Sequence, residues 1–363
     1  MPRLSLDERF MSAALRFSRW GMGLTATNPS VACFIVKNGI IIGRGVTARG
    51  GRPHAETQAL AEAGNEARGA TAYVTLEPCS HYGQVPPCAE FLIDSGVIRV
   101  VFCVGDPDAR VSGRGKSLLL QKGIIVDQIL EGEGKRLLKA YLTRQIQKRS
   151  HVTLKLALSH DNMIGVIGKG HIPITEEISR DQVHLMRAQS DAILVGIGTV
   201  LADDPELTCR LSGLGDRSPV RIILDPRLQL SPDSKIMQTA FLAPIVVVTQ
   251  NEDSSLALSL KKKNIDIIYC DCHDLRKLLA VLNDYGITSL LVEGGAAVAR
   301  SFIKSDLIDS IFLYRSKKNI GKKGIPSPLE EKYVEDNFIC VQCNNFGSDM
   351  CFEYLRKNEC LQV

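Results

Sequence analysis

Apolar side chains recur along this chain with two different periods, and each period predicts one type of element. Residues 10–17 place apolar side chains at helical spacing, and Ser5 and Glu8 just before them form the pair typical of a helix start. Further on, Asn38 and Gly39 separate two short apolar runs, which predicts a β-hairpin. The chain is therefore expected to open with an amphipathic helix followed by two paired strands.

From there to residue 147, short apolar runs alternate with longer runs at helical spacing. Strands are predicted at residues 71–76 and 98–104, and helices at residues 55–63, 89–94 and 131–148. A β-like alternation begins at Val152. We therefore place a domain boundary near residue 148.

The second half alternates strand and helix patterns more regularly. Strands are predicted at residues 152–157, 192–195, 220–224, 244–249, 265–269, 289–292 and 311–314, and helices at residues 178–188, 254–263, 274–285 and 296–304. This alternation predicts a sheet covered by helices on both faces. The expected fold class is α/β with two domains, residues 1–147 and 148–363, each a mostly parallel or mixed sheet flanked by helices.

Composition and charge limit the function classes. The 44 basic and 40 acidic residues give a net charge of +4, which does not require a nucleic-acid surface and suits a phosphorylated small molecule. No apolar run approaches the length of a membrane span, and the start lacks the signature of a secretory signal. The 11 cysteines are scattered, which favours reduced thiols. We expect a cytoplasmic protein that binds neither nucleic acid nor membrane, and the sequence leaves open whether it forms a homo-oligomer.

Two segments of the first half carry metal chemistry: Pro-His-Ala-Glu, and Glu-Pro-Cys-Ser-His-Tyr-Gly-Gln-Val-Pro-Pro-Cys further on. A zinc ion that activates water needs three nitrogen or thiolate ligands and an open fourth position. His54, Cys79 and Cys88 supply the three ligands. Glu56, two residues past the histidine, can face the open position and carry protons. The pattern predicts a hydrolytic zinc centre.

Two structural alternatives use the same residues. One is a closed zinc clip with His81 as a fourth ligand, and the other is a set of buried cysteines without metal. A structural site has no need of the spaced glutamate, so we expect His81 in a substrate pocket instead. The cysteine groups at residues 270–273 and 340–351 lack a full tetrahedral set at finger-like spacing, and no second metal site is expected there.

The His-Ala-Glu segment with the later Glu-Pro-Cys and Pro-Pro-Cys segments resembles the cytidine-deaminase-like superfamily. Eight residues separate Cys79 from Cys88, where the commoner relatives have two. This longer segment is similar to the deaminase domain of the bifunctional riboflavin-biosynthesis deaminase-reductases. The resemblance implies that Asn28, which precedes Pro29, contacts a pyrimidine; from the residues alone, the pair could be only a helix-ending turn.

Two glycine turns follow predicted strands of the second half. They are Gly196-Ile197-Gly198 and Gly294-Gly295. Backbone amides at such turns can approach a phosphate, although a single Gly-x-Gly is at least as typical of a plain tight turn. Two such turns in one domain favour a nucleotide cofactor.

The motifs around these turns resemble the reductase half of the riboflavin-biosynthesis deaminase-reductases, and they occur in the same order along the chain. The fold of that half is like dihydrofolate reductase. The resemblance implies that NADPH reduces a ribosyl group to ribityl. By position it assigns Ala157, Pro173, Thr199, Asp203 and Gly295 to the cofactor, and His171, Arg187, Leu207, Arg210 and Glu293 to the substrate. His171 and Pro173 stand where relatives carry serine and tryptophan, which predicts either an altered affinity or a weak reductase. From residue type alone, Arg187 and Arg210 suit a phosphate or are solvated surface charges.

The leading hypothesis is a bifunctional enzyme with Zn²⁺ and NADPH as cofactors. It would deaminate 2,5-diamino-6-(5-phosphoribosylamino)pyrimidin-4(3H)-one and then reduce the ribosyl group of the product. A base deaminase acting on RNA or nucleosides is a second hypothesis, disfavoured by an aromatic content of 6% and by the balanced charge. A non-catalytic zinc-stabilised scaffold is a third, and it gives no reason for Glu56.

Overall fold

The computed structural model describes residues 4–82, 86–108, 111–252, 254–263 and 265–357. The chain divides into two compact units between Lys148 and Arg149. Each unit has its own sheet and its own buried apolar core. Within the described residues, no helix combines the length and the apolar character needed to cross a membrane.

The first unit is a mixed sheet with helices packed against it. Its strands are β1 (Ala32–Lys37), β2 (Ile40–Val46), β3 (Thr71–Leu76), β4 (Arg99–Val104) and β5 (Ile125–Gln128). Its helices are α1 (Leu6–Ser18), α2 (Ala55–Ala63), α3 (Cys88–Asp94), α4 (Arg114–Gln121), α5 (Glu131–Leu137) and α6 (Lys139–Gln147). The strand order is β2-β1-β3-β4-β5, with β1 antiparallel to both neighbours and β3, β4 and β5 parallel.

Local sequence signals account for the first elements. The Ser5 hydroxyl accepts from the Glu8 amide at 3.2 Å, and the Glu8 carboxylate accepts from the Ser5 amide at 2.7 Å, so the predicted helix start is confirmed. Asn38 and Gly39 have φ values of 53° and 76°. Positive φ at both central residues is typical of a tight hairpin turn, and the predicted hairpin of β1 and β2 is confirmed.

Helix α2 lies unusually close to strand β2. A Cβ atom on Gly43 would lie 2.1 Å from the Ala59 carbonyl oxygen, and one on Gly45 would lie 2.1 Å from that of Ala55. Any side chain at these two positions would push the helix away. The glycines therefore fix the first turn of α2, which carries Glu56, against the sheet.

The second unit contains a long sheet that is parallel except at one end. The strands of the second unit are β6 (His151–Leu158), β7 (Met163–Val166), β8 (Ala192–Gly196), β9 (Val220–Leu224), β10 (Ile245–Thr249), β11 (Asp266–Tyr269), β12 (Ser289–Val292), β13 (Ser310–Arg315), β14 (Gly324–Pro326), β15 (Phe338–Phe346) and β16 (Asp349–Arg356). All of them except β7 and β14 belong to the long sheet. Its helices are α7 (Glu177–Ala188), α8 (Ile197–Asp203), α9 (Lys235–Gln238), α10 (Ser254–Lys261), α11 (Leu275–Asp284), α12 (Ala296–Lys304) and α13 (Glu331–Asn337).

The order of the long sheet is β11-β10-β9-β8-β12-β6-β13-β16-β15. The strands from β11 to β13 are parallel, and β16 is antiparallel to both β13 and β15. A separate antiparallel pair joins β7 to β14. Both units are thus α/β with helices flanking a sheet, and the expected fold class is confirmed.

One predicted helix was wrong in extent. Residues 131–148 form two helices, α5 and α6, because the backbone of Leu138 leaves the helical region at φ −88° and ψ 9°. The Leu138 side chain is buried in the core of the first unit. The interruption lets both short helices pack against the sheet, where one straight helix was expected.

Candidate active sites

The three predicted metal ligands converge in the first unit. His54 is the residue that caps the start of α2, Cys79 follows β3, and Cys88 is the first residue of α3. The His54 Nδ1 atom lies 3.3 Å from the Cys88 Sγ atom and 3.7 Å from the Cys79 Sγ atom. No other group of three His, Cys, Asp or Glu side chains converges in this way in the described part of the chain.

The donor set fits a zinc ion. The Cys79 sulfur accepts from the Cys88 backbone amide at 3.3 Å. Hydrogen bonding from the Cys88 thiol, and then from His54, lowers the pKa of Cys79, which favours the thiolate form of this side chain. A thiolate, a second cysteine and an imidazole within 4.8 Å of one another are the ligand types that a catalytic zinc site uses.

Glu56 lies beside this cluster in the first turn of α2. Its side chain is buried, with 4% of the residue exposed. Burial, together with the Cys79 thiolate, raises the pKa of Glu56 to about 7. A carboxyl group with a near-neutral pKa can both take up and release a proton at physiological pH, as a proton shuttle requires.

A cavity of about 380 Å³ opens onto the cluster and onto Glu56. Asn28 and His81, the two predicted substrate residues of this half, both line it. A Cβ atom on Gly51 would lie 2.1 Å from the Asn28 Nδ2 atom, so the bare backbone of Gly51 packs against this amide. The His81 Nδ1 atom is buried and has no hydrogen-bond partner among the described residues. Residues 83–85 of the same motif lie outside the described residues.

Glu77 is a residue of this site that sequence analysis missed. Its carboxylate accepts from the Gly113 amide at 3.1 Å and from the Lys116 amide at 3.0 Å, at the start of α4. A Cβ atom on Gly115 would lie 2.1 Å from the Pro78 carbonyl oxygen, so α4 packs directly on the segment before Cys79. Glu77 therefore occupies the amides at the start of α4. No local signal reveals the pairing, because the partners are far apart in sequence.

The Glu77 carboxylate also fixes one wall of the cavity. Asp106, which lines the cavity, donates its backbone amide to Glu77 at 3.4 Å and accepts from the Tyr141 hydroxyl at 2.8 Å. Asp106 in turn accepts from the Asp108 amide at 3.0 Å. The wall is therefore connected through hydrogen bonds to the residue two positions before Cys79.

Replacing Glu77 with Gln is expected to raise the KM for deamination about tenfold, because a hydrogen bond to a charged group contributes about 1.5–3 kcal/mol. The zinc content is expected to stay unchanged, since the metal ligands are not altered. Steady-state ammonia release and metal analysis measure both quantities. Glu66→Gln, at an exposed ion pair with Lys37, is the matched control. An unchanged KM in Glu77→Gln would show that the wall does not depend on this carboxylate.

In the second unit, two of the predicted substrate residues contact each other. The Arg187 guanidinium on α7 donates to the Glu293 carboxylate after β12 at 2.7 and 3.1 Å. The Lys155 ammonium lies 3.8 Å from the same carboxylate. The Arg187 side chain is only 13% exposed. Arg187 is therefore an internally paired group and not a solvated surface charge.

Two further substrate candidates, Leu207 and Arg210, lie in the segment after α8. Leu207 has a φ of 59° and is 4% exposed, and its side chain packs in the core. Arg210 is about half exposed, and its guanidinium lies 3.9 Å from Glu206.

The Arg210 amide donates to the His184 Nδ1 atom at 3.4 Å. Burial, and then the charges of Arg187 and Arg210, lower the pKa of His184 to about 4, so this imidazole, which sequence analysis missed, is neutral at pH 7.

The two glycine turns meet. The Gly295 amide donates to the Thr199 hydroxyl oxygen at 3.2 Å. Strand β8 runs directly into α8 at Gly196, whose φ is −85°, so the glycine is not needed for a left-handed turn. Instead, Cβ atoms on Gly196 and Gly294 would come within 2.9 and 2.7 Å of the Val298 side chain. Bare backbone at two adjoining strand ends fits the close approach of a nucleotide.

The remaining candidates lie on β6 and on the loop after β7. Ala157 is on β6, opposite Tyr314 of β13. A Cβ atom on Gly170 would lie 4.0 Å from the Asp203 Oδ1 atom, so the loop that carries His171 passes beside the end of α8. The Pro173 carbonyl oxygen accepts from the Lys318 ammonium at 3.5 Å. The structure thus brings together Arg187 with Glu293 and Thr199 with Gly295, and it places the loop before Pro173 beside Asp203.

Comparison with known proteins gives matches along almost the whole chain. The model of the cytidine and deoxycytidylate deaminase zinc-binding region matches residues 4–104, and that of the RibD C-terminal domain matches residues 150–352. The riboflavin biosynthesis protein RibD of Aquifex aeolicus is 37% identical, covering 97% of this chain and 99% of that protein. RibD of Escherichia coli is 36% identical, with 95% and 98% covered.

A solved structure agrees with these matches. The diaminohydroxyphosphoribosylaminopyrimidine deaminase/5-amino-6-(5-phosphoribosylamino)uracil reductase of Thermotoga maritima superposes with a TM-score of 0.86 at 34% identity. The superposition covers 97% of this chain and 99% of that one.

Proposed function

The chain belongs to the RibD family of riboflavin biosynthesis proteins, and we propose that residues 1–147 form its deaminase and residues 148–363 its reductase. It is a bifunctional enzyme with zinc and NADPH as cofactors and a small phosphorylated pyrimidine as substrate. Deamination of 2,5-diamino-6-(5-phosphoribosylamino)pyrimidin-4(3H)-one releases ammonia. Reduction of the ribosyl group then gives 5-amino-6-(5-phosphoribitylamino)uracil.

In the deaminase, His54, Cys79 and Cys88 would hold the metal. Bound zinc supplies Lewis-acid activation of water near neutral pH. Glu56 takes a proton from the attacking water and delivers a proton to the departing amine nitrogen. The observation that carries this assignment is the buried Glu56 carboxyl group beside the convergent imidazole and sulfur atoms.

Asn28 and His81 orient the pyrimidine in this cavity. The Asn28 amide can donate to and accept from the edge of a heterocycle. The buried His81 Nδ1 atom offers a further polar group for which the described residues supply no partner. A buried polar group without a partner costs free energy, and contact with a bound substrate would offset that cost.

In the reductase, NADPH supplies the hydride. Ala157, Pro173, Thr199, Asp203 and Gly295 would contact the cofactor, of which Thr199 and Gly295 already meet where two strands end. His171, Arg187, Leu207, Arg210 and Glu293 would contact the substrate. Within this set, the half-exposed Arg210 is the best placed to bind a phosphate, whereas Glu293 holds Arg187 in a fixed orientation.

The proposal is tested by giving the full chain the diamino pyrimidine with and without NADPH. Ammonia release is expected in both cases, and NADPH oxidation only once ammonia has been released, because the reductase acts on the deaminated product. Supplying the deaminated product directly should allow NADPH oxidation without ammonia release. NADPH oxidation with the undeaminated substrate at its initial rate would contradict this order.

Two further properties are part of the proposal. A cytoplasmic location is supported by the ten described cysteines, none of which forms a disulfide. Self-association is supported by β15, a nine-residue strand at the end of the sheet order whose residues are mostly exposed. The edge of such a strand can pair with another chain. Sedimentation of the full chain measures the oligomeric state, and a monomer at micromolar concentration would contradict self-association.

A further inference from the structure

The loops flanking the two-stranded β7–β14 sheet carry five exposed lysines, hereafter the lysine cluster: Lys169, Lys317, Lys318, Lys322 and Lys323. The whole chain has a net charge of only +4. The positive groups in these two neighbouring loops therefore form a local positive field.

Backbone contacts hold the two loops side by side. The Ile167 amide donates to the Lys323 carbonyl oxygen at 3.1 Å, next to the pairing of β7 with β14. The His160 amide donates to the Lys318 carbonyl oxygen at 2.8 Å. Both ends of the lysine-bearing loop are thus fixed to the segment around β7.

The middle of that loop is fixed as well. The Asp161 carboxylate accepts from the Ile320 amide at 3.0 Å and from the Gly321 amide at 2.7 Å. It also accepts from the Ser159 hydroxyl at 2.6 Å. The loop between Lys318 and Lys322 is therefore held by two hydrogen bonds to one carboxylate, which Ser159 fixes in turn, and the lysines project from a defined backbone.

The carboxylates among these loops offset only part of the charge. Asp161 is occupied by the hydrogen bonds just described, and Glu176 accepts from the Ser348 amide at 3.1 Å and from the Ser348 hydroxyl. Hydrogen bonding from Ser348, and then the charges of Lys318 and Lys317, lower the pKa of Glu176. Five ammonium groups outnumber the carboxylates of Asp161, Glu176 and Asp203.

The lysine cluster borders the loop that carries ligand candidates. The Lys318 ammonium donates to the Pro173 carbonyl oxygen at 3.5 Å, and a Cβ atom on Gly170 of the same loop would lie 4.0 Å from the Asp203 Oδ1 atom. The cluster therefore stands beside residues assigned to the cofactor and to the substrate, and not at a remote part of the unit.

We propose that the lysine cluster is an electrostatic capture surface for the phosphate-bearing ligands of the reductase. This inference rests on the proposed function, because that function supplies the phosphorylated ligands. NADPH and the phosphorylated pyrimidine are both anions, and a surface of opposite charge raises their local concentration and their rate of association. The field reaches about 30 Å at 0.01 M salt and about 3 Å at 1 M salt, so the effect depends on ionic strength.

The test compares two double variants that change the charge equally. Lys317→Glu/Lys322→Glu alters the cluster while sparing Lys318, which contacts Pro173. Lys262→Glu/Lys263→Glu is the matched control, because these exposed lysines lie just before β11, at the opposite end of the sheet order from β15. Calorimetry measures the Kd of full-length protein for NADPH and, separately, for 5-amino-6-(5-phosphoribosylamino)uracil at about 0.01 M and about 1 M salt.

The cluster variant is expected to bind about tenfold more weakly than the wild type at low salt, with the difference lost at high salt. The control is expected to change less than about twofold. Weakening for NADPH alone or for the pyrimidine alone supports capture and identifies which phosphate the cluster serves. Equal weakening in the control, an unchanged Kd in the cluster variant, or no binding of either ligand by the wild type overturns the inference.

Turnover separates this inference from the function on which it rests. If the wild type oxidises NADPH and the Kd of the cluster variant is unchanged, the reductase assignment stands and the capture surface fails. If the wild type shows no turnover but the cluster variant binds more weakly in a salt-dependent way, the capture surface stands and the reductase assignment fails.

Discussion

Glu56→Gln is expected to lower the rate of ammonia release by about 10²–10⁴-fold, the usual contribution of a positioned acid–base group. Glutamine keeps the size of the side chain and its place in the first turn of α2, but it cannot exchange protons. Because Glu56 is not a metal ligand in the proposed site, zinc content is expected to remain at the wild-type level. Steady-state ammonia release and metal analysis of the same sample give both values.

The matched control is Glu62→Gln, on the same helix but at an exposed ion pair with Arg44. It is expected to leave ammonia release within about twofold of wild type, since exposed ion pairs contribute little. Wild-type ammonia release by Glu56→Gln would remove the proton shuttle from the account. Loss of zinc in that variant would instead place Glu56 among the ligands.

Glu293→Gln is expected to destabilise the second unit by about 3–5 kcal/mol, because it removes the carboxylate that pairs with two buried cations. Arg187 and Lys155 would then lie close together with a neutral amide in place of the carboxylate. NADPH oxidation under folded conditions is expected to fall about 10- to 100-fold as Arg187 loses its orientation. Urea unfolding and NADPH absorbance measure the two effects.

The destabilisation should depend on pH in a defined direction. Burial alone would raise the pKa of Glu293, but Arg187 and Lys155 together lower it from 4.5 to about 2. A lowered folded-state pKa means that the contribution to stability is complete above pH 4.5 and is lost as the pH falls towards 2. The stability gap between wild type and Glu293→Gln should therefore be constant from pH 7 to pH 5 and narrow below that.

Glu331→Gln is the matched control, at an ion pair with Arg315 in which Glu331 is 75% exposed. It is expected to change stability by less than about 1 kcal/mol. A Glu293→Gln protein as stable as wild type at pH 7 would mean that the buried cations find other partners.

The zinc site could be predicted from sequence because its residue types suit one metal ion. His54 and Glu56 are two residues apart at a helix start, and Cys79 and Cys88 follow a strand and open the next helix. Spacing places the side chains within each segment, and the shared ligand chemistry indicates that the two segments meet. The Asn38-Gly39 turn and the Ser5–Glu8 pair were predictable because their signals are local.

Pairings between distant segments could not be predicted in this way. Glu77 finds its amide partners at Gly113 and Lys116 only after β3 and β4 have come together. Arg187 and Glu293 were each assigned to the substrate, but the sheet brings them into contact with each other. Residue type predicts what a side chain can bind, whereas the tertiary fold decides which partner is near.

Strand β15 and helix α8 were both missed by the sequence analysis. Strand β15 is largely exposed, so it lacks the apolar alternation that marks a half-buried strand, although Gly347 at its end, with a φ of 64°, is a turn signal. Helix α8 begins directly at the glycine turn, and the pattern of two glycines favoured a loop. In both cases the tertiary setting outweighed the local pattern.

The central claim is that an imidazole, two cysteine sulfurs and a buried carboxyl group form a hydrolytic zinc centre. Its most direct test is the zinc content of the full chain, measured together with ammonia release from 2,5-diamino-6-(5-phosphoribosylamino)pyrimidin-4(3H)-one before and after chelation. The account predicts one zinc ion per chain, loss of ammonia release on its removal, and recovery when zinc is restored. Undiminished ammonia release from the zinc-free chain would contradict it.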